Sequence, residues 1–139
     1  MESIFIQSEK YCFNFIGKDH APVVVFSNSL GTTHKMWTKQ IGELAKNYRF
    51  LTYDTRGHGQ LSEVNASVSL DKLGNDVLNL LDALDIETMT FCGISMGGLI
   101  GQWLGVYAGS RLDKLVLCNT AAKIGQADAW LERASLVRS

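Results

Sequence analysis

Histidine is scarce in this chain and concentrated early: three occur, His20, His34 and His58, and none follows position 58. Cysteine is scarce too. Cys12, Cys92 and Cys118 cannot all pair with one another, and their spacing matches no zinc or Cys-x-x-Cys pattern. Cys92 and Cys118 sit inside apolar runs and are expected as buried thiols. Neither charge sign dominates, with 13 Lys and Arg against 14 Asp and Glu and a formal net charge of -1. No lysine-arginine run marks a nucleic-acid face, so nucleic acid is not an expected partner. An acidic or uncharged small molecule is compatible, because the charge of a site is local. The N-terminus has no basic segment followed by an apolar run, as a secretory signal would. No apolar stretch approaches the ~20 residues that span a bilayer. A soluble, cytoplasmic protein without a membrane partner is the expectation.

The chain is 46% hydrophobic and 19% charged, the balance of one folded domain with a real core. Ile4–Gln7 and Tyr11–Ile16 read as a hairpin at one edge of a sheet. Pro22 opens Val23–Phe26, a continuous apolar run of the kind buried on both faces. The polar loop 27–33 leads to a helix over Met36–Lys46, with Trp37, Ile41 and Leu44 on one face. Tyr48–Tyr53 is the next strand. The loop Asp54–Gly59 then runs into a polar segment ending near Val68. Ser69 caps a helix whose stripe is Leu70, Leu73, Val77, Leu80, Leu81 and Leu84, with Asp71 in its first turn. Thr88–Cys92 is a strand, Met96–Tyr107 a helix and Lys114–Cys118 a strand. Such alternation predicts an α/β fold, a mostly parallel sheet with helices on both faces joined by right-handed crossovers. Active sites in these sheets lie at the carboxyl ends of the strands, which is where loops 27–33, 54–59 and 93–98 fall.

Gly93-Ile94-Ser95-Met96-Gly97 fits the nucleophile-elbow pattern Gly-x-Ser-x-Gly. By composition alone such a pentapeptide arises in roughly one chain in ten, so its setting carries the argument: it ends a strand and opens a helix. Glycines flank the serine because side chains there would strike neighbouring backbone. Gly97, Gly98, Gly101 and Gly105 suit a helix packed close to the sheet. A dinucleotide motif fails because position 95 is Ser, and no Gly-Lys-Ser/Thr triplet closes a P-loop. Acyl transfer also needs two N–H groups aimed at the developing oxyanion. Met96, after the nucleophile, supplies one candidate, and Leu30 in the loop after the third strand supplies the other, with Gly31 turning the backbone.

His58 precedes the serine, against the order serine, acid, histidine of hydrolases with this elbow. Together with Arg56 it reads as a tether holding its loop beside the elbow, with direct substrate contact as the alternative. His34 is a candidate for the pocket rim, and His20 for a solvated turn. The acids after Ser95 are Asp113, at the wrong end of its strand, and Asp128 and Glu132, which flank Trp130 in an amphipathic tail. A serine without a base is a poor nucleophile. The triad cannot be completed within these 139 residues.

With these loops in view, the sequence resembles the 3-oxoadipate enol-lactonases of the α/β-hydrolase superfamily. The likeness is carried by Ser27-Asn28-Ser29-Leu30-Gly31-Thr32-Thr33, Met36-Trp37, Tyr53-Asp54-Thr55-Arg56-Gly57-His58-Gly59 and the run from Phe91 to Leu99. It continues through Gly101-Gln102-Trp103-Leu104-Gly105 and Leu115 to Gly125. The resemblance implies the N-terminal part of an α/β-hydrolase core over 1–122, the start of a helical cap over 123–139, and a fold cut after about the sixth strand. It implies serine-dependent opening of an enol-lactone to 3-oxoadipate, with no metal or organic cofactor. The family's aspartate and histidine have no counterpart here. The expected partners are a small ester or lactone and either a separate C-terminal chain or a second copy paired along Lys114–Cys118. The alternatives are a general carboxylesterase or cofactor-free haloperoxidase-like enzyme, and a non-catalytic binding protein or inactive fragment of the same fold.

Overall fold

A computed structural model describes residues 1–63 and 67–139. Six strands form one sheet: β1 (Glu2–Ile6), β2 (Glu9–Ile16), β3 (Val23–Ser27), β4 (Arg49–Tyr53), β5 (Met89–Ile94) and β6 (Leu112–Cys118). Four helices accompany them: α1 (Thr38–Leu44), α2 (Leu70–Ala83), α3 (Met96–Tyr107) and α4 (Ala127–Arg138). The sheet order is β1-β2-β4-β3-β5-β6. The first two strands form the expected edge hairpin, turned through Gln7 and Ser8 with φ of 48° and 68°. β2 is antiparallel to β4, while β4, β3, β5 and β6 run parallel. The α/β architecture read from the sequence is therefore the one observed.

Alternation along the central strands divides the core. One set of side chains, Val25, Leu51, Tyr53 and Phe91, packs under Leu73, Val77, Leu80 and Leu81 of α2 and Ile100 and Leu104 of α3. The opposite set, Phe26 and Phe50, packs under Trp37, with Met36, Ile41 and Ala45 around it. Phe26 stacks between Trp37, at a ring separation of 4.3 Å, and Phe50, at 5.3 Å. Helices thus lie on both faces, α1 on one and α2 and α3 on the other. The chain leaves β3 toward α1 and leaves β5 toward α3. Adjacent strands sending their loops to opposite faces open a crevice at their carboxyl ends.

Several local expectations shift. The helix read over 36–46 opens as a 3₁₀ turn, His34–Trp37, and is α-helical only over Thr38–Leu44. Ser69 caps α2 as expected, accepting the Lys72 N–H at 3.1 Å. Leu70, assigned to the apolar stripe, is instead exposed, because it stands in the first turn beyond the sheet's cover. The polar segment before Val68 begins with a 3₁₀ turn at Gly59–Leu61, and its residues 64–66 lie outside the described residues. Cys92 and Cys118 are only half-buried, and the fully buried thiol is Cys12. For Cys118 the reason is position: among the described residues β6 is an edge strand, bonded to β5, and Val116 on it remains 43% exposed, while Cys92 stands on β5 in register with Val116.

Candidate active site

The turn from β5 into α3 is made by a strained serine. Ser95 has φ 54° and ψ -113°, a conformation L-residues rarely hold, and it lies between the last residue of the strand and the first of the helix. Three hydrogen bonds fix it. Its N–H donates to the Cys118 carbonyl at 3.0 Å, and its carbonyl accepts from the Leu99 N–H at 3.1 Å and the Thr120 hydroxyl at 2.8 Å. The flanking glycines are sterically required. A Cβ on Gly93 would fall 2.1 Å from the Gly97 carbonyl oxygen, and one on Gly97 would fall 2.2 Å from that of Ser27. A Cβ on Gly98 would fall 2.6 Å from Thr120 and one on Gly101 a tight 3.0 Å from Leu115, whereas a Cβ on Gly105 would make only ordinary contact at 3.5 Å. Close packing of α3 therefore rests on the first three of the four helix glycines named from the sequence.

Met96 is the first residue of α3, so its N–H has no carbonyl one turn back to bond. The next N–H, of Gly97, donates to the Asn28 carbonyl at 3.1 Å and ties the helix start to the loop after β3. That loop turns through Ser29–Thr32, closed by Thr32 N–H to Ser29 carbonyl at 3.2 Å, with Gly31 at φ 75°. Positive φ at the third position marks a type II turn. Leu30 stands at its second position and is 42% exposed. The structure thus brings the Leu30 turn and the elbow together at the carboxyl ends of β3 and β5, where Ser27 pairs with Gly93.

The loop is held by side chains. Asn28 is 1% exposed; its Oδ1 accepts from Trp37 Nε1 at 2.9 Å and its Nδ2 donates to the Tyr53 carbonyl at 3.2 Å. Ser27 and Tyr53 share a buried hydroxyl pair at 2.7 Å. Burial pushes the Tyr53 phenol above its ordinary value, which keeps it neutral. The Gly31 N–H donates to His58 Nε2 at 2.8 Å, and His34 Nδ1 stands 3.6 Å from the buried carboxylate oxygen Asp54 Oδ1. The other Asp54 oxygen accepts the Gln60 N–H at 2.9 Å.

A profile of the α/β hydrolase fold family matches residues 22–135 of this sequence. The chain belongs to the α/β-hydrolase fold family. Among its relatives, 3-oxoadipate enol-lactonase 1 of Acinetobacter baylyi is 53% identical over 123 residues, which is 88% of this chain and 46% of the relative. The crystal structure of the enol-lactonase from Burkholderia xenovorans superposes with a TM-score of 0.94 at 40% identity, over 99% of this chain and 54% of that one. A hydrolase from Pseudomonas aeruginosa gives 0.93 at 39% identity, over 99% and 53%. The chain spans about half the length of the curated relatives it matches.

Within this hydrolase fold the remaining candidate residues separate clearly. His58 joins its loop to the Leu30 turn, but Arg56 points the other way. Its guanidinium clamps Asp76 of α2 at 2.6 and 3.0 Å and reaches Glu9 at 3.1 Å, and the bond to Asp76 raises its already high pKa. Tyr11 donates to the same carboxylate at 2.9 Å, and Lys72 contacts both acids. Arg56 therefore anchors the loop to α2 rather than beside the elbow. His34 lies along the Leu30 loop, and His20 is exposed at φ 66°. Asp113 accepts from Thr88 at 3.0 Å at the opposite end of the sheet. Asp128 and Glu132 sit on α4, a helix that buries none of its residues. Among the described residues no three His, Cys, Asp or Glu side chains gather as a metal site, and no helix is long and apolar enough to cross a membrane.

Sequence reasoning gave no role in the site to three residues that shape it: Asn28, Tyr53 and Thr120. Trp37, nine positions after Asn28, is one aromatic among several and marks no partner for a buried amide. Tyr53 and Thr120 reach the site only through strand order, which no local pattern encodes.

Proposed function

We propose that the complete hydrolase opens carboxylic esters or enol-lactones through a serine acyl-enzyme, with 3-oxoadipate enol-lactone as its substrate. The observation that carries this is the strained Ser95, at φ 54°, beside a pinned turn whose Leu30 N–H has no hydrogen-bond partner among the described residues. In this reading Ser95 Oγ attacks the lactone carbonyl, and the Leu30 and Met96 N–H groups hold the oxyanion. The enolate leaves with little need of protonation, and water then releases the acyl group. The base that takes the serine proton comes from outside these 139 residues. The substrate assignment rests on the enol-lactonase relatives and on the Asn28-Ser29-Leu30-Gly31 and Cys118–Gly125 phrases. Residues 1–122 act as the N-terminal part of the catalytic core, and 123–139, including α4, begin the cap.

The test is turnover of the enol-lactone beside a p-nitrophenyl ester by the complete hydrolase and its Ser95→Ala variant. Loss of a triad serine lowers turnover by about 10⁴-fold or more, and that loss is the expected result. A Ser95→Ala protein keeping a tenth of its activity would sink the mechanism. Aryl-ester turnover with none on the lactone would move the substrate to the carboxylesterase class. The half-exposed outer edge of β6 is proposed to pair with a further strand, from a C-terminal chain or a second copy. Denaturing mass spectrometry beside a sizing column tests this: a lone monomeric 15.3 kDa species would overturn it.

A further inference from the structure

The two central residues of the Leu30 turn, Leu30 and Gly31, each present an N–H outside its closing hydrogen bond. Among the described residues one of these two is taken by the protein fold. The Gly31 N–H donates to His58 Nε2 at 2.8 Å. The other ring nitrogen, Nδ1, stands 3.2 Å from the Arg56 carbonyl oxygen. A neutral imidazole carries one donor and one acceptor, so these two contacts are compatible with one tautomer: proton on Nδ1, lone pair on Nε2. Arg56, whose carbonyl selects that tautomer, is itself clamped to Asp76 and Glu9. The orientation of the turn is thereby referred, through His58, to the rigid α2 side of the molecule. His34, the other histidine beside the turn, stands 3.6 Å from Asp54 instead.

We propose that His58 is a positioning residue for the reaction at Ser95: its Nε2 engages the Gly31 N–H and leaves the neighbouring Leu30 N–H as the donor for the substrate oxyanion. The inference rests on the acyl-transfer reading above. His58 neither touches substrate nor moves a proton. It fixes the plane of the peptide next to the donor, and a shift of about 1 Å in such a donor costs up to 10²-fold in rate. The electrostatic reward is collected in the transition state, so the loss falls on kcat more than on KM.

Two variants of the complete hydrolase test this, with p-nitrophenyl acetate as the probe. His58→Phe keeps a planar ring but offers no acceptor, and is expected to lower kcat by about 10- to 100-fold with KM within about twofold. His58→Gln returns an amide oxygen to the Gly31 N–H and is expected to recover kcat to within about threefold of the parent. Equal losses in both variants, or an unchanged kcat in His58→Phe, would overturn the proposal. Should His58→Phe not fold, long-range nitrogen–proton spectra of the unsubstituted protein decide: a proton on His58 Nε2 rules out the acceptor role. Ser95→Ala run alongside keeps the two readings apart. Activity surviving Ser95→Ala sinks the acyl-enzyme, whereas loss in Ser95→Ala with none in His58→Phe sinks only the positioning role.

Discussion

The elbow and the Leu30 turn face each other across the ends of β5 and β3, yet they are built on different principles. The elbow is mainly closely packed backbone. Its shape follows from glycines at 93 and 97, which let the start of α3 press so near Ser27 that a Cβ on Gly97 would fall 2.2 Å from its carbonyl oxygen. The turn is held from outside, by Asn28 bonded to Trp37 and Tyr53 and by His58 bonded to Gly31. One half of the site is thus a close steric fit, read from a short motif although Cys118, Thr120 and Asn28 also bond it, and the other is a junction of side chains from four separate segments. A steric fit fails by collision, and a junction fails by loss of partners.

That contrast is open to direct attack. Ser95→Ala, the largest expected effect on turnover, alters neither half's scaffold and serves as the reference. Gly97→Ala strikes where the halves meet, because its new methyl would displace the Ser27 carbonyl and disturb the Gly97–Asn28 hydrogen bond. A loss of about 3 kcal/mol is expected, at the upper end for overpacking. Urea denaturation measures it, and a change below about 0.5 kcal/mol, the ordinary range of a surface substitution, would mean that the elbow yields more readily than its geometry implies. Asn28→Ala strands the indole N–H of Trp37 and removes the tie to Tyr53, leaving the elbow untouched. About 2 kcal/mol of stability should go, read from the same denaturation curves. Ser95 should still react with a phosphonate probe, more slowly. Full-speed reaction in that variant would show that the turn holds its shape without Asn28, and the contrast between the halves would weaken.

The sequence made the elbow legible because its determinants lie within five consecutive residues, and a strand before and a helix after them complete the pattern. The Leu30 turn was legible as a place but not as a mechanism. Gly31 announced a turn, while nothing near it announced Asn28 as a buried anchor or His58 as its second support. Arg56 and His58, read together as one tether, point to opposite sides of their loop. Their divergence depends on Asp76, 20 residues beyond Arg56, rising on α2 to meet the guanidinium. Cys118 was misjudged for a related reason, since an apolar run says nothing about whether a strand lies inside the sheet or at its edge, and Cys92, on the interior strand β5, lies next to that same open edge. Burial, with the neighbouring Cys118 thiol, pushes Cys92 up to about 11 even so.

The sequence by itself determined what depends on near neighbours: the alternation of strand and helix, the cap at Ser69, the strained position of Ser95 and the glycines around it. Each follows from steric and hydrogen-bonding rules that act over a few residues. Tertiary structure alone decided the strand order, the pairing of β6 at the rim of the sheet, and the meeting of Asn28, Trp37, Tyr53, His58 and Gly31 around one turn. Those contacts join residues up to 27 positions apart. They form because packing the two faces of the sheet brings the carboxyl ends of β3, β4 and β5 side by side, an arrangement no short stretch of chain specifies.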